Sequence, residues 1–379
     1  MDDNRKTAVP VPSVGADGEQ PIFKEFNNSI STNPEEINSQ AEFFEEDLEM
    51  DRVLARMSNP NYLHTVSMNQ LYDTSYQNRP VIIEGLLHSG TYIFAGAPKV
   101  GKSFFMGQLA YHVSTGKKLW DYEVHPGTVL YLALEDDYQR LQERMYRMFG
   151  VEGTDKLHFA VCAKPLGKGL DEQLTDFLRE HPDTRLIIID TLQKIREVSG
   201  EAYSYASDHD VISRLKAFAD SKGICLMLVH HTRKQQAGDR FEMISGTTGI
   251  LGSADGAFLL QKEKRTDMSA TLDIVGRDQP DQKLYLIRDQ ERLCWNLDHA
   301  ETEMWKKPPD PILETLNHTI QDEWIGTATE LLELLKLDMR PNAFSRYLNV
   351  NKGRLENEYS IIYQTQRTHT GRTVILHRA

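Results

Sequence analysis

The sequence predicts an α/β protein built on a mainly parallel sheet, with antiparallel strands added at one edge. Three observations carry this. Between Val81 and Lys262, apolar runs alternate with helical runs, the pattern of strands buried on both faces by crossover helices. One such run, 92–95, leads directly into Gly96-Ala97-Pro98-Lys99-Val100-Gly101-Lys102-Ser103. That stretch matches the phosphate-cradling pattern G-x-x-x-x-G-K-[ST] at every fixed position. Residues 270–297 then switch to short alternating segments, the period of half-buried strands.

Residues 1–64 read as an acidic, largely disordered tail. The first 33 are rich in Pro, Gly, Ser, Asn and acids, a composition with too little apolar surface to repay ordering. A helix is expected over 34–57. Asn33 is a good cap, Pro34 suits the first helical position, and Ile37, Ala41, Phe44 and Leu48 recur at helical spacing. Such a helix is either a solvated amphipathic stretch or a docking element for a partner or neighbouring subunit.

Residues 65–305 form the core domain. Strands are expected at 92–95, 129–134, 158–162, 186–189, 224–229 and 257–260. Helices are expected at 104–113, 138–149, 171–180 and 208–222. A linker over 306–323 opens with Lys306-Lys307-Pro308-Pro309-Asp310-Pro311. A small unit, 324–379, follows. Thr327-Ala328-Thr329-Glu330 is a capping-box pattern opening a helix at 328–337. Two short helices (341–348 and 352–357) and two strands (361–363 and 373–377) complete it. Three helices followed by a hairpin is the order of a winged helix.

Composition narrows the classes. The chain has 379 residues and a net charge of −13, which argues against a surface coated for nucleic-acid binding. The charge is uneven. Residues 1–60 hold thirteen acidic side chains against five basic, and residues 338–379 hold seven basic against three acidic. This leaves room for a local nucleic-acid contact at the basic end. No apolar run reaches the length of a membrane span and no signal-peptide core is present. Cys162, Cys225 and Cys294 are isolated and apolar in setting, so a reducing cytoplasm is expected, with no cysteine metal site.

The P-loop sets the chemistry. Its glycines let successive backbone N–H groups face phosphate oxygens, and the helix that opens beyond it, near Phe104, adds a positive dipole end. Lys102 is placed to reach the β- and γ-phosphates of ATP, and the Ser103 hydroxyl to bind Mg²⁺. Asp190 ends the aliphatic run Leu186-Ile187-Ile188-Ile189. Ligands in such sheets bind at the carboxyl ends of strands, so Asp190 is expected beside Ser103 as a second Mg²⁺ group, the alternative being a loop cap. Glu135 ends the run 129–134 and is a candidate base for the water that attacks the γ-phosphate. Alternatively Glu135, Asp136 and Asp137 cap and charge the helix that follows. His230 and His231 end the run 225–229, and His230 is read as coupling nucleotide state to the long polar stretch 233–253, or else as one of a structural histidine pair.

The ordered set of P-loop, strand-Glu135, strand-Asp190, His230-His231-Thr232-Arg233-Lys234 and Ser245-Gly246-Thr247-Thr248-Gly249 resembles the RecA-like ATPases of the plasmid RepA helicase type, AAA-family ATPases of mobile elements. The entry phrase Val81-Ile82-Ile83-Glu84-Gly85-Leu86-Leu87 is similar too, and the likeness covers about 65–297. The resemblance implies a homo-oligomeric ring, commonly a hexamer, with ATP sites shared between subunits. It implies an arginine finger, for which Arg277 stands in the expected place and Arg265 and Arg288 compete. It also implies that 233–253 faces single-stranded DNA in a central channel. That stretch holds few cations and one aromatic, Phe241, a thin stacking platform. The C-terminal unit, with Lys352 and Arg354 on its candidate recognition helix and Arg367, His369 and Arg372 on its wing, is either a duplex-DNA reader or a protein-docking module. Helicase-like action in mobile-element replication leads. An ATP-gated DNA-binding regulator is its rival, and a small-molecule kinase fits the long stretch and antiparallel strands less well.

Overall fold

The computed structural model describes residues 61–63, 65–76, 79–196, 205–232, 241, 244, 248–277, 279–301, 308–368 and 371–378. The chain divides into two compact units, Met1–Leu71 and Tyr72–Ala379. Helix α1, Met68–Asp73, begins in the first. It opens with a reciprocal cap in which Gln70 N donates to Ser67 Oγ and Ser67 N donates to Gln70 Oε1. The helix expected at 34–57 lies outside the described residues.

The second unit begins with a short antiparallel ribbon, β1 (Val81–Ile83) and β2 (Leu87–His88). Strand β3 (Gly90–Gly96) leads through the P-loop into α2 (Lys102–Thr115). Then come β4 (Thr128–Ala133), α3 (Tyr138–Phe149), β5 (Leu157–Ala160), α4 (Leu170–Glu180) and β6 (Thr184–Asp190). A 3₁₀ turn (Leu192–Ile195), α5 (Tyr205–Lys222), β7 (Cys225–His231), α6 (Thr248–Ser253) and β8 (Gly256–Gln261) follow. Three more strands are β9 (Ser269–Gly276), β10 (Gln282–Arg288) and β11 (Trp295–Ala300).

These strands form one nine-stranded sheet in the order β11-β10-β9-β8-β3-β7-β6-β4-β5. From β8 to β5 every pairing is parallel, and from β8 to β11 every pairing is antiparallel. The parallel strands are apolar throughout because both faces are covered. One face packs α2, α3 and the β1–β2 ribbon around Phe94, Tyr131, Met227 and Trp295. The other packs α4 and α5 around Ile93, Ile187, Leu226 and Leu259. Alternate residues of each strand serve opposite cores, so a one-residue shift in any strand would exchange the two.

The amino-terminal edge of the parallel strands is tied by a buried acid. Asp255 Oδ2 accepts from Thr91 N at 2.9 Å, and both carboxylate oxygens accept from Lys216 Nζ of α5 at 2.5 Å. Arg79 lies 3.2 Å away. Burial alone would raise the pKa of Asp255. The Lys216 and Thr91 hydrogen bonds and the two positive charges outweigh it and hold the pKa below the usual carboxylate range.

The C-terminal part departs from expectation in two places. Residues 306–323, expected as a linker, contain α7 (Pro311–Thr319), capped by Asp310 through Ile312 N and Leu313 N. Leu313 and Leu316 of α7 enter a third apolar cluster, so burial, invisible in the proline-rich opening, starts the folded unit near Asp310. The element order continues with β12 (Glu323–Thr327), α8 (Ala328–Leu335), α9 (Pro341–Tyr359), β13 (Ile361–Thr368) and β14 (Gly371–Arg378). The capping box of Thr327 and Glu330 forms as the spacing requires. The helices expected at 341–348 and 352–357 are one continuous helix. Asn349, which suggests a break, is buried. It accepts from Tyr363 OH at 2.9 Å and donates to Tyr72 O at 3.0 Å, so its amide has no need to compete with the helix backbone. The three strands pair in the order β12-β14-β13.

Candidate active site

Backbone geometry builds the phosphate loop first. Gly101 has φ +109°, and a Cβ there would stand 2.9 Å from the Trp295 ring. A Cβ on Gly96 would stand 2.7 Å from Leu260 O. Both positions therefore require glycine, one for conformation and one for the close approach of β8. Trp295 is locked behind the loop by Gln108 of α2, which accepts from Trp295 N at 2.7 Å and donates to Trp295 O at 2.9 Å.

The strand register then gathers the side chains. Gly96 lies beside His231, and Ala133 beside Asp190. Leu134 N donates to Asp190 O at 2.8 Å, closing β4 and β6 at their carboxyl ends. Lys102 is buried, and its Nζ donates to Gly96 O at 2.9 Å and Ala97 O at 3.1 Å. It also stands 3.0 Å from His231 Nδ1. Burial lowers its pKa to about 8, against the opposing pull of Asp190 and Glu135. Asp190 is also buried. Burial raises its pKa, countered by hydrogen bonds from the Ser103 and Tyr131 hydroxyls and by Lys102. Tyr131 OH donates to Asp190 Oδ2 at 2.9 Å. Ser103 and Asp190, expected to lie together, are in contact.

The acidic turn after β4 divides its work. Asp137 caps α3, accepting from Arg140 N at 2.9 Å. Asp136 accepts from Arg144 at 2.6 Å. Glu135 does neither. It is exposed at the mouth of the site, accepts from Thr191 Oγ1 at 3.3 Å, and its charge is felt by Lys102, Asp190 and His231.

Two predicted residues fall elsewhere. His230 is one residue out of phase. It shares the face of Leu226 and Leu228, whereas His231 follows Met227 and Val229 onto the P-loop face and meets Lys102. Burial first, and the Lys102 charge second, lower the pKa of His231. Arg277 follows β9, which runs antiparallel to β8. It therefore sits at the opposite edge of the sheet from its own P-loop, with its side chain donating to Gly252 O at 2.5 Å. Of its competitors, Arg288 ends β10 near α2 and lies over the Phe104 ring, 4.4 Å from the centroid. Arg265 lies in the β8–β9 connection.

Most of 233–247 lies outside the described residues. Ile244 is buried and bridges to Thr232, while Phe241 packs partly buried against the second core cluster. Residues 248–253 are the helix α6 rather than open loop. Among the C-terminal cations, Arg354 is held by Glu358 and Pro308 O, Arg346 by Asp73, and Arg378 by Asn317 and Ile320 O. His369 lies outside the described residues.

Sequence reasoning missed His231, Tyr131 and Arg144. Strand parity was the available signal for the first two, since each follows the alternation of its own strand onto the P-loop face. No sequence signal marks Arg144, whose role depends on how α3 lies against α2. Among the described residues no cluster of histidine, cysteine or acidic groups could by itself hold a metal ion. No described helix is long and apolar enough to cross a membrane.

A P-loop following the third strand of a mainly parallel sheet, with an acid ending a nearby strand, defines an α/β P-loop core. Residues 58–237 match the family model of an AAA domain. None of the curated proteins compared with it matches. Among solved structures, the chain is similar to an isolated ATPase domain at 14% identity, covering 66% of this chain and 97% of that one, TM-score 0.47. It is similar to a DnaB-like replicative helicase at 13% identity, covering 68% and 77%, TM-score 0.49. A KaiC-like protein from the hyperthermophilic archaeon Pyrococcus horikoshii OT3 aligns at 13% identity over 60% and 99%, TM-score 0.43.

Proposed function

We propose that this chain is a RecA-like ATPase that hydrolyses ATP with Mg²⁺, assembles as a homo-oligomeric ring (a hexamer) and acts on DNA in a helicase-like role in mobile-element replication. The observation that carries the reading is the convergence of Lys102, Ser103, Asp190, Glu135 and His231 at the carboxyl ends of four neighbouring strands. The AAA domain match supports it, since 58–237 contains all five.

The roles follow from chemistry. Backbone amides of Gly96, Ala97, Pro98-flanked Lys99, Val100 and Gly101, with those opening α2 through Phe104, face the phosphates; Lys102 supplies the charge. Ser103 and Asp190 are the Mg²⁺ groups. They fit, because the Ser103 hydroxyl already lies on the Asp190 carboxylate, whose pKa burial raises by stripping it of water. An ion held there would supply neutralisation of the phosphate charge. Glu135 orients and deprotonates the attacking water. His231, in contact with Lys102, takes the sensing position that the sequence assigns to His230. Arg277 serves a neighbour's site, since it stands away from its own. Single-stranded DNA is assigned to the region 233–253, with backbone amides rather than Phe241 making the contacts.

A second reading, an ATP-gated DNA-binding regulator, is favoured by one observation. The order helix, strand, two helices, two strands with sheet order β12-β14-β13 supports reading this unit as a winged helix. Three of its cations are already paired, which weakens a duplex-DNA role and favours protein docking.

ATP turnover measured with and without single-stranded DNA separates the two. Stimulation by DNA is expected of a ring motor, and turnover indifferent to DNA would sink that reading. Glu135→Gln is expected to bind ATP and lose hydrolysis by roughly 10²-fold or more, the contribution of a positioned general base.

A further inference from the structure

We infer that Arg144 is a positioning residue that holds the acidic turn, and with it Glu135, in register with the P-loop; this rests on the role given to Glu135 above. The inner side of the turn is fixed by backbone bonds, Leu134 N to Asp190 O at 2.8 Å and Asp136 N to Ala133 O at 3.1 Å. Among the described residues, Glu135 itself is held by the 3.3 Å contact from Thr191, too long to fix a carboxylate tightly. The outer side is fixed by Asp136. Its Oδ2 accepts from Arg144 Nη1 at 2.6 Å, and the two side chains are only 13% and 15% exposed. A charge-assisted bond of that length, largely out of water, sets geometry.

Arg144 is held in turn. Its guanidinium lies over the ring of Phe104, 5.1 Å from the centroid, and Arg288 also lies over that ring at 4.4 Å. Phe104 is the residue after Ser103. A chain of contacts therefore runs from the phosphate loop through Phe104 and Arg144 to Asp136, one residue from Glu135. Two guanidinium groups thus share the Phe104 ring. Asp136 neutralises Arg144, which offsets the like charge of Arg288 on the same ring.

Loss of this link leaves the phosphate loop intact and frees the turn. A displacement of the base by about 1 Å is enough to cost on the order of 10²-fold in rate. In the full-length chain, Arg144→Ala is expected to lower kcat for ATP hydrolysis by roughly 10- to 100-fold. The Kd for a non-hydrolysable ATP analogue should stay within about two-fold. Arg144→Lys, which keeps a cation opposite Asp136, should recover part of the rate. Asp136→Asn should match Arg144→Ala, and the double variant should fall no further than either single one. If Arg144→Ala fails to fold, Asp136→Asn carries the same test. Unchanged kcat, or a loss of kcat that tracks a loss of nucleotide binding, overturns the inference. Glu135→Gln separates the two levels: if it keeps hydrolysis, the role of Glu135 fails and Arg144 falls with it, whereas a dead Glu135→Gln beside an active Arg144→Ala overturns the Arg144 inference alone.

Discussion

Lys102 is expected to set the pH dependence of nucleotide binding. Burial lowers its pKa to about 8. Phosphate oxygens favour the charged ammonium, so bound nucleotide raises that pKa. Above about pH 8 the free protein has lost the proton and binding must restore it. ATP affinity should therefore be flat below this pH and weaken as pH rises through it, approaching roughly ten-fold per pH unit, the limit for uptake of one proton. Binding titrations from about pH 6.5 to 9.5 with a non-hydrolysable analogue bracket that value and check this; an affinity constant across the range would remove Lys102 from phosphate contact. Other residues of the site differ in how plainly the sequence marks them. The P-loop is legible because two glycines and a lysine at fixed spacing have few other uses. Asp190 is legible because an acid ending an aliphatic run has few places to lie. His230 and His231 are separated in the sequence by strand parity alone, which does not say which face carries the P-loop. Adjacent strand residues point to opposite faces, and the register that decides between them depends on Gly96, far earlier in the chain, through the pairing of β3 with β7.

At the scale of elements, the ion cluster at Asp255 joins three of them, β3 through Thr91, α5 through Lys216 and β8 through its own backbone. The folded-state pKa of Asp255 is depressed. Its stabilisation is therefore complete above the unfolded carboxylate pKa and is lost as pH falls through the folded value. Asp255→Asn should cost about 3 kcal/mol, the lower range for breaking a buried pair, since Lys216 keeps Asp220 at 3.2 Å. Urea unfolding at neutral pH measures it; a loss below about 1 kcal/mol would show the cluster to be a surface pair in effect. The parallel strands are readable as unbroken apolar runs because each is buried on both sides. Helix α9 reads as two helices because Asn349 has the composition of a break, and only its partners Tyr363 and Tyr72 show that it is a core residue. Likewise α7 is hidden behind prolines, whose stiffness marks a boundary without saying which side folds.

For the whole molecule, the positions of Lys102 and Arg277 at opposite edges of one sheet bear on assembly. A subunit that contributes its phosphate loop to one site and its arginine to the next requires a head-to-tail arrangement that closes. Lys102→Ala and Arg277→Ala proteins, each inactive alone, should recover hydrolysis when mixed, because some interfaces then pair an intact loop with an intact arginine. A mixture no more active than its parts would place Arg277 outside the reaction.

The position of Trp295 has a consequence for how the molecule comes into being. The ring packs against Gly101, and its backbone is bonded on both sides to Gln108. The phosphate loop is thus walled by a strand made much later, Trp295 lying 187 positions beyond Gln108. During synthesis the loop cannot reach its final packing until β11 has left the ribosome, however early its own residues appear. A fragment cut after residue 237, where the AAA domain match stops, would carry every residue of the phosphate loop and still lack its rear wall.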